Sequence, residues 1–114
     1  MRLKLMFVIL DKAKAEKALR ALAEAGLRHP QAMPGTGTAP TALSELMGTG
    51  ETEKVLLIGT AREEDVPALY SVLKEKFAFE EKNTGIAFTV PVRSVGGPAT
   101  LALLAGIPAG EVKV

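Results

Sequence analysis

Residues 3–10, LKLMFVIL, form an almost unbroken apolar run, and a helix-period segment follows them with no spacer. Such a run suits a central strand buried on both faces, because a strand with one wet face alternates apolar and polar residues. Asp11 is placed to cap the helix that follows, since its carboxylate can accept from unpaired amides of the first turn. Beyond it, Ala18, Leu19, Leu22 and Ala25 recur at helical spacing, while Lys14, Lys17, Arg20 and Glu24 fall elsewhere on the helix. Gly26 is a natural stop. A strand that leads straight into an amphipathic helix commits the chain to a layered fold, with the helix lying on a sheet.

Residues 27–33 read as a short strand, with Pro30 at a sheet edge or an entry point. A long segment of small and polar residues, 34–54, then carries Gly-Thr-Gly at 35–37 and again at 48–50. Within it, residues 40–47 suit a short helix closed by Gly48. A connection this long inside a compact domain points to function or disorder. Residues 55–58 are a second buried strand. Thr60 and Glu63 have capping-box spacing, but a helix starting there would bury Pro67 in its interior at a cost of ~3 kcal/mol. The helix is therefore expected to start at residues 63–65, with Val66, Leu69, Tyr70, Leu73 and Phe77 as its apolar stripe. Residues 86–92 form the last strand, and Pro98 opens a final helix over 99–105 that Gly106 and Pro108 end.

The order βαββαβ predicts an α+β fold, the ferredoxin-like arrangement of a four-stranded antiparallel sheet with both helices on one face. The chain is expected to be one domain over residues 1–97, with the insertion at 34–54, followed by a short helix and tail over 98–114. The uncovered sheet face is expected to be closed by oligomerisation.

Composition excludes several functions. The chain has 114 residues, a net charge of +1 and no cysteine. A near-neutral balance argues against nucleic acid as the partner. The lack of cysteine removes disulfides, thiolate metal sites and cysteine nucleophiles. The single histidine, His29, lacks companions for a metal site. The serines, Ser44, Ser71 and Ser94, stand in no nucleophile elbow, and there is no phosphate-binding P-loop. Phe7 and Phe88 are too few for an RNA-stacking sheet. The chain is expected not to be an enzyme. Its apolar start is too short for a membrane span and lacks a cleavage site, so a cytoplasmic protein is expected.

Two glycine turns remain. Gly35-Thr36-Gly37-Thr38 offers amides and hydroxyls suited to phosphate contact. Asn83-Thr84-Gly85 directly precedes the run Ile86-Ala87-Phe88-Thr89-Val90-Pro91-Val92. This second stretch, NTGIAFTVPV, together with the placement of the long loop, resembles the PII signalling protein family, and its divergent PII-like members more closely. The resemblance spans most of residues 3–97. It implies a homotrimer with its sheets around a central axis, and adenine nucleotide (ATP, ADP or AMP) in clefts between subunits. It also implies signal transduction in nitrogen regulation, relayed through a T-loop to a target such as a membrane transporter or metabolic enzyme.

Carried onto this chain, the resemblance makes Gly35, Thr36, Gly37, Thr38, Asn83, Thr84 and Gly85 ligand-binding, with no cofactor required. Leu43, Leu46 and Met47 become the apolar docking element of the loop. The chain departs from the family where phosphate is gripped. The family's lysine before the phenylalanine strand is Ile86 here, and its aspartate is Thr84. Ser94, Gly96, Gly97 and Ala99 occupy the region of its later arginines. Each lost charge-assisted bond is worth roughly 1.5–3 kcal/mol. Arg28, Arg62 and Arg93 are the candidates to replace them. Two further readings are a structural trimer whose ligand site has decayed, and a CutA-like trimer that binds divalent metal.

Overall fold

The computed structural model describes residues 2–35, 53–79 and 85–105. Four strands, β1 (Leu3–Asp11), β2 (Arg28–Gly35), β3 (Lys54–Arg62) and β4 (Gly85–Val92), make one antiparallel sheet in the order β2-β3-β1-β4. Helices α1 (Lys12–Ala25) and α2 (Val66–Phe77) pack together on one face, and α3 (Pro98–Ala105) follows β4. This is the expected βαββαβ order and the ferredoxin-like fold.

The core lies between the helices and the sheet. Met6, Val8 and Leu10 of β1 and Val55, Leu57 and Ala61 of β3 meet Ala18 and Leu22 of α1 and Leu69, Leu73 and Phe77 of α2. Pro67 falls at the second position of α2, where its missing N–H has no partner to lose, and residues Glu63–Asp65 form a preceding 3-10 turn. Tyr70, expected in the apolar stripe, is instead exposed. The α1 stop is as expected: Gly26 takes a φ of 123°, which favours glycine.

Three further expectations are corrected. Asp11 precedes α1, but its side chain makes no capping bond; it pairs with Lys54 across the β1–β3 ladder, because that ammonium is opposite it in register. The Lys12 amide, left open at the start of α1, donates instead to the Glu53 carbonyl at 2.9 Å. The third strand is longer than its apolar run: pairing with β1 continues through Gly59 to Arg62, because a helical layer and α3 cover both sides of its second half. Finally, β1 is central but is not buried on both faces. Its helix-facing residues are fully buried, whereas Leu5, Phe7 and Ile9 are only half-buried.

That second face is apolar across the sheet. Phe7 pairs with Ile58 on one side and Phe88 on the other, and Ile9 with Leu56 and Ile86. The Phe7 and Phe88 rings stack with centroids 4.9 Å apart. Phe88 remains 42% exposed, Met33 41% and Val90 38%. One end of the face is covered. There α3 buries Leu3 and Thr60; the Thr60 hydroxyl donates to the Leu104 carbonyl at 3.0 Å. His29 Nε2 donates to the Leu103 carbonyl at 2.7 Å. The His29 backbone has a φ of 49°, at a bulge in β2 between Arg28 and Gln31. That bulge interrupts an edge strand, a usual place for one.

Candidate functional site

Gly35 and Gly85, one described residue from each glycine turn, lie at the same end of the sheet. Gly35 ends β2 opposite Lys54, Lys54 is opposite Asp11, and Gly85 starts β4 opposite Leu10. They occupy opposite edges, however, with β3 and β1 between them. Three strand spacings separate them, about 14 Å. Within one chain Gly35 and Gly85 therefore do not meet. Thr36, Gly37, Thr38, Leu43, Leu46, Met47, Asn83 and Thr84 lie outside the described residues.

The two glycines differ in what packs against them. A Cβ at Gly85 would come 2.7 Å from the Ile9 carbonyl oxygen and 2.8 Å from Phe79 Cε2. Side-chain loss there lets Phe79 close over the start of β4, a packing requirement that sequence reading missed. Gly35 has only an ordinary contact among the described residues, 3.6 Å to the Lys54 carbonyl. Between the edges, the part-buried pair Asp11–Lys54 and the exposed pair Lys12–Glu53 (3.2 Å) tie β1 and the start of α1 to β3.

The three candidate arginines are at the other end. Arg28 starts β2, Arg62 ends β3 opposite Leu3, and Arg93 follows β4. Seven residue steps along β2 separate Arg28 from Gly35, roughly 23 Å. The arginines thus do not converge with Gly35 and Gly85 within one chain.

Two cavities mark the arginine end. One, of about 330 Å³, lies between the start of α3 and the end of β4, and is lined chiefly by Leu3, Val92, Val95, Pro98 and Leu101 with Arg93 and Ser94 at hand. Gly97, with a φ of 111°, makes the turn into α3 beside it. The other, of about 560 Å³, is polar, and Arg2, Lys4, Glu63 and Arg93 line it. Among the described residues no group of three or more His, Asp or Glu side chains is placed to hold a metal ion, and no helix is long and apolar enough to cross a membrane.

No protein-family model matches the chain, and no curated protein matches it. Solved structures do. The chain is similar to CPII from Thiomonas intermedia K12 bound to ADP, AMP and acetate, with 24% identity and a TM-score of 0.66 over 86% of this chain and 92% of that one. A PII-like signalling protein from Thermus thermophilus matches with 18% identity and a TM-score of 0.60 over 81% and 87%. CutA1 from Oryza sativa matches with 17% identity and a TM-score of 0.61, covering 93% of both chains. The resemblance seen in the sequence is thus met by PII-like structural neighbours, and the fold of this chain is the one that PII-like proteins and CutA1 share.

Proposed function

We propose that the protein is a PII-like regulatory protein, cytoplasmic and not an enzyme, that assembles as a homotrimer and senses an adenine nucleotide between its subunits. The observation that carries the reading is the uncovered apolar sheet face around Phe7 and Phe88. An apolar surface of this kind marks an interaction site, and it lies on a fold shared with CPII, which was solved with ADP and AMP bound.

The placement of Gly35 and Gly85 supports a cyclic assembly. In a head-to-tail ring, the β2 edge of one copy faces the β4 edge of the next. Gly35 of one subunit and Gly85 of its neighbour then flank one cleft, which a single chain cannot build. Backbone amides there would contact the phosphates in place of the lysine that Ile86 replaces. Arg28, Arg62 and Arg93, at the far end in their own chain, could reach such a cleft only from a neighbouring subunit. The 36–53 loop, with Leu43, Leu46 and Met47, would relay occupancy to a target protein such as a transporter or a metabolic enzyme of nitrogen regulation.

Calorimetric titration with ATP, ADP, AMP and cyclic AMP tests the nucleotide, and proteolysis of the 36–53 loop tests the relay. Saturable heat and ligand-dependent protection are expected. Heat from none of the four would leave a trimer with a structural role only. Heat from divalent cations alone would turn the reading towards a CutA-like protein.

A further inference from the structure

The polar cavity at the arginine end carries more charge than the fold requires. Lys4 is in register with Ala61 and Pro91, so β3 and β4 hold its backbone from both sides. Arg2 is fixed through its carbonyl, which accepts from the Glu63 amide at 3.0 Å. Among the described residues Glu63 is the only carboxylate lining this cavity, and it is shared. Arg2 Nη1 lies 3.6 Å from one of its oxygens and Lys4 Nζ 3.7 Å from the other. Both separations exceed the 2.7–2.9 Å of a charge-assisted hydrogen bond. Arg93, the third cation, has no ion-pair partner among the described residues. Three cations against one carboxylate leave a local excess of two positive charges, while the whole chain carries +1.

We propose that this corner is a binding site for a small oxyanion bearing two negative charges, with Arg2, Lys4 and Arg93 as its cationic donors and Glu63 as the group it displaces. The two guanidinium forks suit the geometry of a phosphate or a carboxylate. Lys4 is the least exposed of the cations that pair with Glu63, with 24% of its side chain exposed against 80% for Arg2. Its charge is therefore screened least by water. Backbone pairing fixes the attachment points of Arg2 and Lys4 before any ligand arrives, which lowers the ordering cost of binding. The site goes beyond the nucleotide reading, since it stands at the opposite end of the sheet from Gly35 and Gly85.

The test is a titration of the full chain with inorganic phosphate and, separately, succinate, at ionic strength held constant with chloride. Amide chemical shifts locate the binding. Saturable shifts are expected at Leu3, Lys4, Glu63, Val92 and Arg93 in nucleotide-free protein. The arm that saturates tells a phosphoryl ligand from a dicarboxylate. Arg93→Ala should weaken binding roughly tenfold through loss of one charge-assisted contact. Glu63→Gln should tighten it several-fold, because the competing carboxylate is gone while the backbone bond to Arg2 remains. A structural role for Glu63 predicts no such gain. Shifts that fail to saturate with either anion, shifts confined to Gly35 and Gly85, or indifference to both substitutions would each overturn the site while leaving the nucleotide reading intact.

Discussion

Replacing Phe88 with alanine tests whether the open sheet face is a subunit interface. Phe88 lies 42% exposed in one chain. An aromatic side chain buries 150–250 Å² when fully covered, so about 80 Å² of Phe88 remains to be covered. At ~25 cal/mol per Å² that is about 2 kcal/mol per subunit, or about 6 kcal/mol for three copies. Each 1.4 kcal/mol is a tenfold change, so the trimer dissociation constant should rise by about four orders of magnitude. The half-dissociation concentration follows the square root of that constant and should rise about a hundredfold. Phe88→Ala also removes the stack on Phe7, worth about 1 kcal/mol within each chain. That loss lowers the monomer's stability without changing its mass. Sedimentation velocity over a concentration series separates the two effects. Tyr70→Ala, which trims an exposed aromatic on α2 in the helical layer, is the control and should leave the series unchanged. A wild-type chain that sediments as a monomer throughout, or a Phe88→Ala series superimposable on wild type, would refute the reasoning.

Gly85→Ala should lower stability by about 2–3 kcal/mol and the melting temperature by roughly 10 °C, since the new methyl meets the Ile9 carbonyl as well as Phe79. Adding Phe79→Ala should recover only part of that loss in thermal unfolding, because the carbonyl stays where it is. Asp11→Asn leaves Lys54, whose side chain is 19% exposed, without its charge partner. Urea unfolding should show a loss of about 1–2 kcal/mol, and Asp11→Asn with Lys54→Met should cost less than the two single changes summed. His29→Ala removes the donor to the Leu103 carbonyl, a bond worth about 1 kcal/mol. Amides of α3 should then exchange roughly fivefold faster, with those of β1 and β3 unaffected.

Much of the fold was legible because its signals are local. The apolar run of β1, the helical spacing of α1 and the position of Pro67 each depend on a few neighbouring residues, and the sheet kept all three. The misreadings came from contacts across the sheet. Asp11 looked like a cap because its neighbours in sequence begin a helix; Lys54, its partner, is forty-three residues away. The far half of β3 carries Gly59, Thr60 and Ala61, which signal no strand by themselves. A Cβ at Gly59 would come 2.6 Å from Leu27 Cγ, so glycine there admits the α1–β2 connection over the strand. The basic corner was illegible for the same reason. Arg2, Lys4, Glu63 and Arg93 span the chain, and only the antiparallel register of β1 with β3 and β4 gathers them.

The glycines around β4 illustrate how one residue type can answer several physical demands. In the sequence, Gly85 reads as part of a ligand-binding turn, while Gly96 and Gly97 stand where the family has its later arginines. Gly85 is required by Phe79 and the Ile9 carbonyl whether or not a ligand also contacts it. Gly97 is required by a φ of 111°, with open space where a Cβ would stand. Its role is to turn the chain so that α3 lies back over Leu3 and Thr60. Gly35 meets neither demand: its φ is not in the left-handed region and its nearest contact is ordinary. Of the described glycines in the candidate site, it is therefore the one whose replacement discriminates. Gly35→Ala should leave the melting temperature nearly unchanged while weakening any nucleotide that contacts the end of β2, and titration of that variant reads the two separately. A variant that binds ADP as the parent does would move the ligand away from this edge of the sheet.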